Sequence, residues 1–133
     1  MAFTNLLRRV KTLALDANLG IDVVEGLRTE DLPTPCISVH LESAENFSNL
    51  LTDVFRTNIT VKYEEHYGDS TSEEVSDNFK KLLDEFLVDK LVETINVAGV
   101  HVFEAKVDDI LTDVQNDLFV SQFTLALIAE RDS

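Results

Sequence analysis

From residue 55 the chain alternates apolar-facing and polar positions. Phe55, Thr57, Ile59, Val61 and Tyr63 fall on one side of an extended segment, and Arg56, Asn58, Thr60, Lys62 and Glu64 on the other. Period two held over ten residues predicts a strand that buries one face. The alternation runs out before Gly68. Thr71, with Glu74 three residues later, then offers a capping box in which hydroxyl and carboxylate each accept a backbone N–H left unpaired at a helix start. Beyond it the period becomes helical, with Val75, Phe79, Leu82, Leu83, Phe86, Leu87, Leu91 and Ile95 set against Asp77, Lys80, Lys81, Asp84 and Glu85. This pattern predicts one helix over residues 72–96, about 36 Å long at 1.5 Å per residue, enough to cross a small sheet.

The same two periods divide the rest of the chain. Leu6, Leu7, Val10, Leu13, Ala14 and Ala17 predict a helix over residues 5–17, with Thr4 as N-cap, Arg8, Arg9 and Lys11 outside, and Leu19-Gly20 as its stop. Residues 21–35 read as a connector in which Val23 and Val24 form at most a short strand, because Pro33 and Pro35 bar regular helix. A strand follows over residues 36–42, with Ile37, Val39 and Leu41 on one face and Cys36, Ser38 and His40 on the other. Two more are expected at residues 101–107 and 119–130. The last has Phe119, Phe123, Leu125 and Leu127 inward, while Val120, Ala126 and Ile128 leave its outer face partly apolar, as in a central strand or one that meets another chain.

Residues 43–53 and 108–118 are longer than the two to five residues a hairpin needs, and both are read as loops. They carry Phe47, Leu50 and Leu51 in the first and Ile110 and Leu111 in the second, which makes these five the candidate anchors for a partner. Helix, strand, strand, helix, strand, strand is most simply a single α+β domain spanning residues 1–133. Its expected form is a four-stranded, mainly antiparallel sheet with two helices packed on one face.

Charge narrows the range of partners. Of 133 residues, 25 are acidic and 11 basic, a net charge of −14, and all but three of the carboxylates lie beyond residue 28. Such a surface repels phosphate, so binding nucleic acid by backbone neutralisation is not expected. One cysteine, Cys36, excludes an intramolecular disulfide and a multi-cysteine zinc site. Met1 to Leu7 is too short for the apolar core of a signal peptide, and no apolar run approaches the ~20 residues that span a bilayer, so neither secretion nor a membrane is expected.

Catalytic chemistry is sought without success. Gly20, Gly26, Gly68 and Gly99 are isolated and build neither a P-loop nor a dinucleotide fingerprint. His40, His66 and His101 form no two-histidine metal motif. Cys36 and His40 share a strand face but stand ~13 Å apart, too far for a nucleophile and its base. Asp108, Asp109, Asp113 and Asp117 lack the spacing and turn glycine of an EF-hand and read as a solvated acidic loop. Tyr63, Glu64, Glu65, His66 and Tyr67 are polar neighbours whose side chains alternate between faces and are not expected to converge. No catalytic, cofactor or metal site is assigned, and no enzyme activity is expected.

The basic helix FTNLLRRVKTLAL, the strand TPCISVHLE after a proline-containing connector, the strand TNITVKYEEHYG leading into EEVSDNFKKLLDEFL, and the closing strand FVSQFTLALIAE together resemble the tail terminator (tail completion) proteins of long-tailed bacteriophages, over nearly the whole chain. The resemblance implies a virion protein assembled in the bacterial host cytoplasm. It further implies a ring, usually of six subunits, that caps the tail tube, stops tube polymerisation and meets the head-side neck proteins. DNA would pass through its lumen without specific binding, which the net negative charge suits. In such a ring Arg8, Arg9, Lys11, Val120, Ala126 and Ile128 are the candidate contacts between subunits. The competing expectations are a different neck or head-completion protein, a ligand-binding or adaptor module, and a hydrolase with a cation at Asp108, Asp109 and Asp113.

Overall fold

A computed structural model describes residues 2–26, 35–46, 54–66, 72–87, 91–95, 100–115 and 117–131. Helix α1 (Ala2–Asp16) leads to strand β1 (Asp22–Glu25), then β2 (Cys36–Asn46) and β3 (Val54–His66). Helices α2 (Ser72–Asp84) and α3 (Leu91–Ile95) follow, and β4 (Val100–Gln115) and β5 (Leu118–Arg131) close the chain. The strands make one sheet in the order β1-β2-β3-β5-β4, so β3 is central, β5 is interior, and β1 and β4 are the edges of the sheet.

This is the expected α+β class with a different sheet. There are five strands among the described residues, and the pairing is mixed, because the short strand at Val23 and Val24 joins β2 in parallel register while every other pair is antiparallel. Thr4 lies inside α1 rather than capping it. The helix ends through i→i−3 bonds from Ala17 N–H to the Ala14 carbonyl (3.2 Å) and from Asn18 N–H to the Leu15 carbonyl (3.0 Å). Asn18 and Gly20 then turn the chain with φ of 55° and 70°.

The long helix expected over residues 72–96 is two helices instead. Turning 100° per residue, Phe86 lies about 20° around the axis from Val75, but Leu91 lies about 160° around, on the opposite side of a straight helix. One unbroken helix therefore exposes one group or the other. The chain ends α2 with tight bonds from Glu85 N–H to Leu82 O (3.2 Å) and Phe86 N–H to Leu83 O (2.9 Å), and then starts α3. Phe86, Leu91 and Ile95 are all buried as a result, while Leu87 is left 56 % exposed.

The helices cover one face of the sheet. Register places Val39, Val61 and Phe123 in one row across β2, β3 and β5, and Leu41, Ile59, Leu125 and Val107 in the next. Phe79 and Phe86 of α2 and the turn after it both lie over Phe123, with ring centroids 6.1 and 5.1 Å away, and Leu6, Val10 and Leu13 of α1 join the same core. All five inward positions expected of β3, from Phe55 to Tyr63, are buried. The opposite face is more open but not bare: Ser38, Thr60, Val120 and Thr124 are buried there, while Asn58, Lys62, Ala126 and Ile128 are half-buried and Arg56 is exposed.

Candidate interaction surface

Residues 108–118 are not a loop. The segment continues β4 to Gln115 and turns at Asp117, which has a φ of 65°, into β5, so β4 and β5 form a long hairpin whose outer strand is a sheet edge. Aspartates are poor strand formers, and four in ten residues disguise the strand; continuous pairing with β5 overrides their preference. The irregularity is taken up by a bulge between Asp108 and Leu111, where Asp109 adopts a φ of 49° and donates its N–H to Asp108 Oδ1 (3.0 Å). Asp113 Oδ1 similarly accepts the N–H of Val114 at 2.8 Å.

Along this arm both faces of β4 meet solvent. Ile110 is 50 %, Leu111 57 % and Val114 50 % exposed, and the aspartates between them are exposed too. Two of the five candidate anchors, Ile110 and Leu111, thus stand on a protruding strand edge. In the other expected loop, residues 43–46 extend β2, and Phe47, Leu50 and Leu51 lie outside the described residues.

The candidate subunit contacts divide between two places. Arg8, Arg9 and Lys11 sit on α1 at the opposite end of the sheet, where Arg8 Nε lies 3.9 Å from Glu25 Oε1 of β1 with its side chain still 65 % exposed. Arg9 and Lys11 are half-buried. Val120, Ala126 and Ile128 lie on the open face of β5; Val120 is buried and the other two are half-buried. There the sheet holds a trough of about 660 Å³ with charges of both signs on its wall, Glu42, Glu104 and Asp108 against Arg56 and Lys106. Lys106 Nζ stands 4.0 Å from Asp108 Oδ2, and Thr60 donates to Glu42 Oε2 at 2.8 Å.

Two buried polar atoms on the open face of β2, Ser38 Oγ and His40 Nδ1, have no hydrogen-bond partner among the described residues. Burial lowers the His40 pKa below its ordinary value, against the raising pull of Glu42 and with the help of Lys62. Cys36 is buried and donates weakly to the Ile37 carbonyl at 3.8 Å.

The polar cluster at the end of β3 does converge in part, contrary to expectation. Tyr63 and Glu65 are two residues apart and therefore share the helix-covered face. The Tyr63 hydroxyl donates to Glu65 Oε2 at 2.8 Å and accepts from Asn78 Nδ2 of α2 at 3.1 Å. Burial raises the phenol pKa well above its usual range, and Glu65 adds to this while Asn78 opposes it. The i, i+2 spacing of Tyr63 and Glu65 is the signal in the sequence, masked by the polar neighbours between and around them. These three groups satisfy one another, which fits a structural tie between β3 and α2.

No known family model matches the sequence, and no curated protein matches it. Solved structures do share the fold. A chain from the virion of a native gene transfer agent particle superposes with a TM-score of 0.57 at 11 % identity, covering 94 % of this chain and 91 % of its own. A second solved chain superposes with a TM-score of 0.62 at 12 % identity, over 99 % of this chain and 94 % of its own. At such identities the likeness establishes a shared fold from end to end. Among the described residues no helix is long and apolar enough to cross a membrane, and no group of three or more His, Cys, Asp or Glu side chains is placed to hold a metal ion.

Proposed function

We propose that this chain is a structural subunit of a phage-type virion, and specifically a tail terminator. In this role it forms a ring, of six subunits on the family pattern, that caps the finished tail tube, halts its polymerisation and presents its other face to the head-side neck proteins. The observation that carries the reading is the end-to-end fold likeness to a chain of a gene transfer agent virion, with neither chain left over to any great extent. The β4 arm supports an assembly role, since an unpaired strand edge with Ile110, Leu111 and Val114 half exposed or more is costly to leave in water and suited to a partner. The excess of carboxylates supports a conduit that DNA crosses without adhering.

The test is electron microscopy of the purified protein in negative stain, alone and after mixing with the tail-tube protein of the same virion. Rings, and tubes closed at one end with a narrow length distribution, are expected. Tubes that keep growing in the presence of the protein overturn the terminator reading. Binding to head-side connector rings without any effect on tube length assigns the chain to another position in the neck.

A further inference from the structure

The two edges of the sheet carry different chemistry. At one edge β4 presents Ile110, Leu111 and Val114, each half exposed or more, among Asp108, Asp109, Asp113 and Asp117. At the other, α1 packs against β1 and β2, and the contact between Arg8 and Glu25 brings one of its faces to the β1 side. Arg8, Lys11, Thr12 and Leu15 follow one another at spacings of three, one and three, which lines them up along a single stripe of that helix. Leu15 is 50 % exposed, and the Thr12 hydroxyl is already engaged with the Arg8 carbonyl at 3.0 Å, so the stripe offers two cations and one apolar side chain. Four strand spacings, about 19 Å, separate the edges, so one molecule cannot bring its own two surfaces together.

We infer that the β4 arm of one copy seats against the α1 stripe of a second copy, a head-to-tail contact repeated around the ring. The apolar side chains of the arm cover Leu15, and its aspartates meet Arg8 and Lys11. A two-fold contact between like surfaces is disfavoured at both ends, because β4 on β4 sets Asp108, Asp109 and Asp113 against themselves and α1 on α1 opposes cations. Pairing β4 with the β1 edge of a neighbour is disfavoured for the same reason, since β1 carries Asp22 and Glu25. Contacts between different surfaces close into rings when the rotation is an integral fraction of a turn, whereas contacts between like surfaces stop at two copies. The inference deepens the terminator reading by naming the surface that joins its subunits, and it rests on that reading only for the purpose the ring serves.

The experiment uses the full chain and two kinds of variant. In the first, Arg8→Glu with Lys11→Glu, and separately Asp109→Arg with Asp113→Arg, are each expected to raise the dissociation constant of assembly about tenfold or more by light scattering, and the four changes together to restore it. Thermal unfolding of each checks that the fold is intact. In the second, Lys11→Cys protein is mixed with Ile110→Cys protein and oxidised; a cross-linked pair is expected from the mixture and none from either variant alone. Cys36 is buried and does not compete. Cross-linking of Ile110→Cys with itself, assembly unaffected by the charge reversals, or a wild type that stays monomeric both alone and on tail tubes overturns the inference. Rings that show these cross-links but do not cap tubes remove the terminator reading and leave this contact standing. Capped tubes whose rings lack the cross-links do the reverse.

Discussion

Tyr63 is a small test of what buried polarity is for in this protein. Its hydroxyl links a buried carboxylate, Glu65, to Asn78 on α2, so it both gives and takes a bond inside the core. Tyr63→Phe removes both the donor to Glu65 Oε2 and the acceptor for Asn78 Nδ2, and losing such bonds in a buried setting costs about 1–3 kcal/mol. Urea unfolding is expected to report a loss of that size, whereas an unchanged midpoint means that the tie contributes nothing. His40 makes a different point. Its folded pKa is lowered by burial, so on acidification the unfolded chain takes up its proton before the folded one does. The His40 contribution is therefore complete above the ordinary value near 6.5 and is lost as the pH falls from there towards the lowered folded value. Stability is expected to decline as the pH falls below the ordinary value near 6.5, with a shallower slope in His40→Gln; equal slopes in the two proteins contradict this.

At the scale of elements, a clean period predicts the structure and a drifting or disguised period does not. The five inward residues of β3 alternate without a break and are all buried. A single stripe from residue 72 predicts too long a helix, because Leu91 and Ile95 have already rotated to the other side of the axis. The β4 arm is hidden from sequence pattern because its aspartates outweigh Ile110, Leu111 and Val114, and because cross-strand pairing is a property of β5 as much as of β4. The distinction has consequences for mutation. Leu111 is exposed on the edge, so Leu111→Asp is expected to keep the unfolding free energy within about 0.5 kcal/mol while disturbing assembly. Phe86, buried on Phe123 with ring centroids 5.1 Å apart, is expected to cost about 3–5 kcal/mol as Phe86→Ala. Denaturant unfolding of both variants checks the contrast, and a Leu111→Asp protein that unfolds means that the arm is core and not a contact surface.

At the scale of the whole molecule, a conduit protein and a DNA-binding protein of the same size differ in charge before they differ in anything else. Affinity for duplex DNA comes largely from cations that displace counterions along the phosphates, so it needs a continuous basic surface. This chain carries 11 basic residues against 25 acidic, and the cations its structure brings near one another on the open face, Arg56 and Lys106, are interleaved with Glu42, Glu104 and Asp108. A mobility-shift titration of the wild type is expected to detect negligible binding at ordinary salt. Charge reversal on the trough provides the complementary experiment, because Glu42 and Glu104 line it, are both exposed, and lie outside the arm that seats on a neighbour. If that face lines the lumen, Glu42→Lys with Glu104→Lys creates a site where DNA pauses. The double variant is then expected to bind duplex DNA with an affinity that falls steeply as salt rises, and virions built with it are expected to deliver their genome more slowly than wild type. Tight and salt-sensitive binding by the unaltered protein sinks the inert-conduit reading and turns attention to Arg8, Arg9 and Lys11 on α1 as a DNA grip.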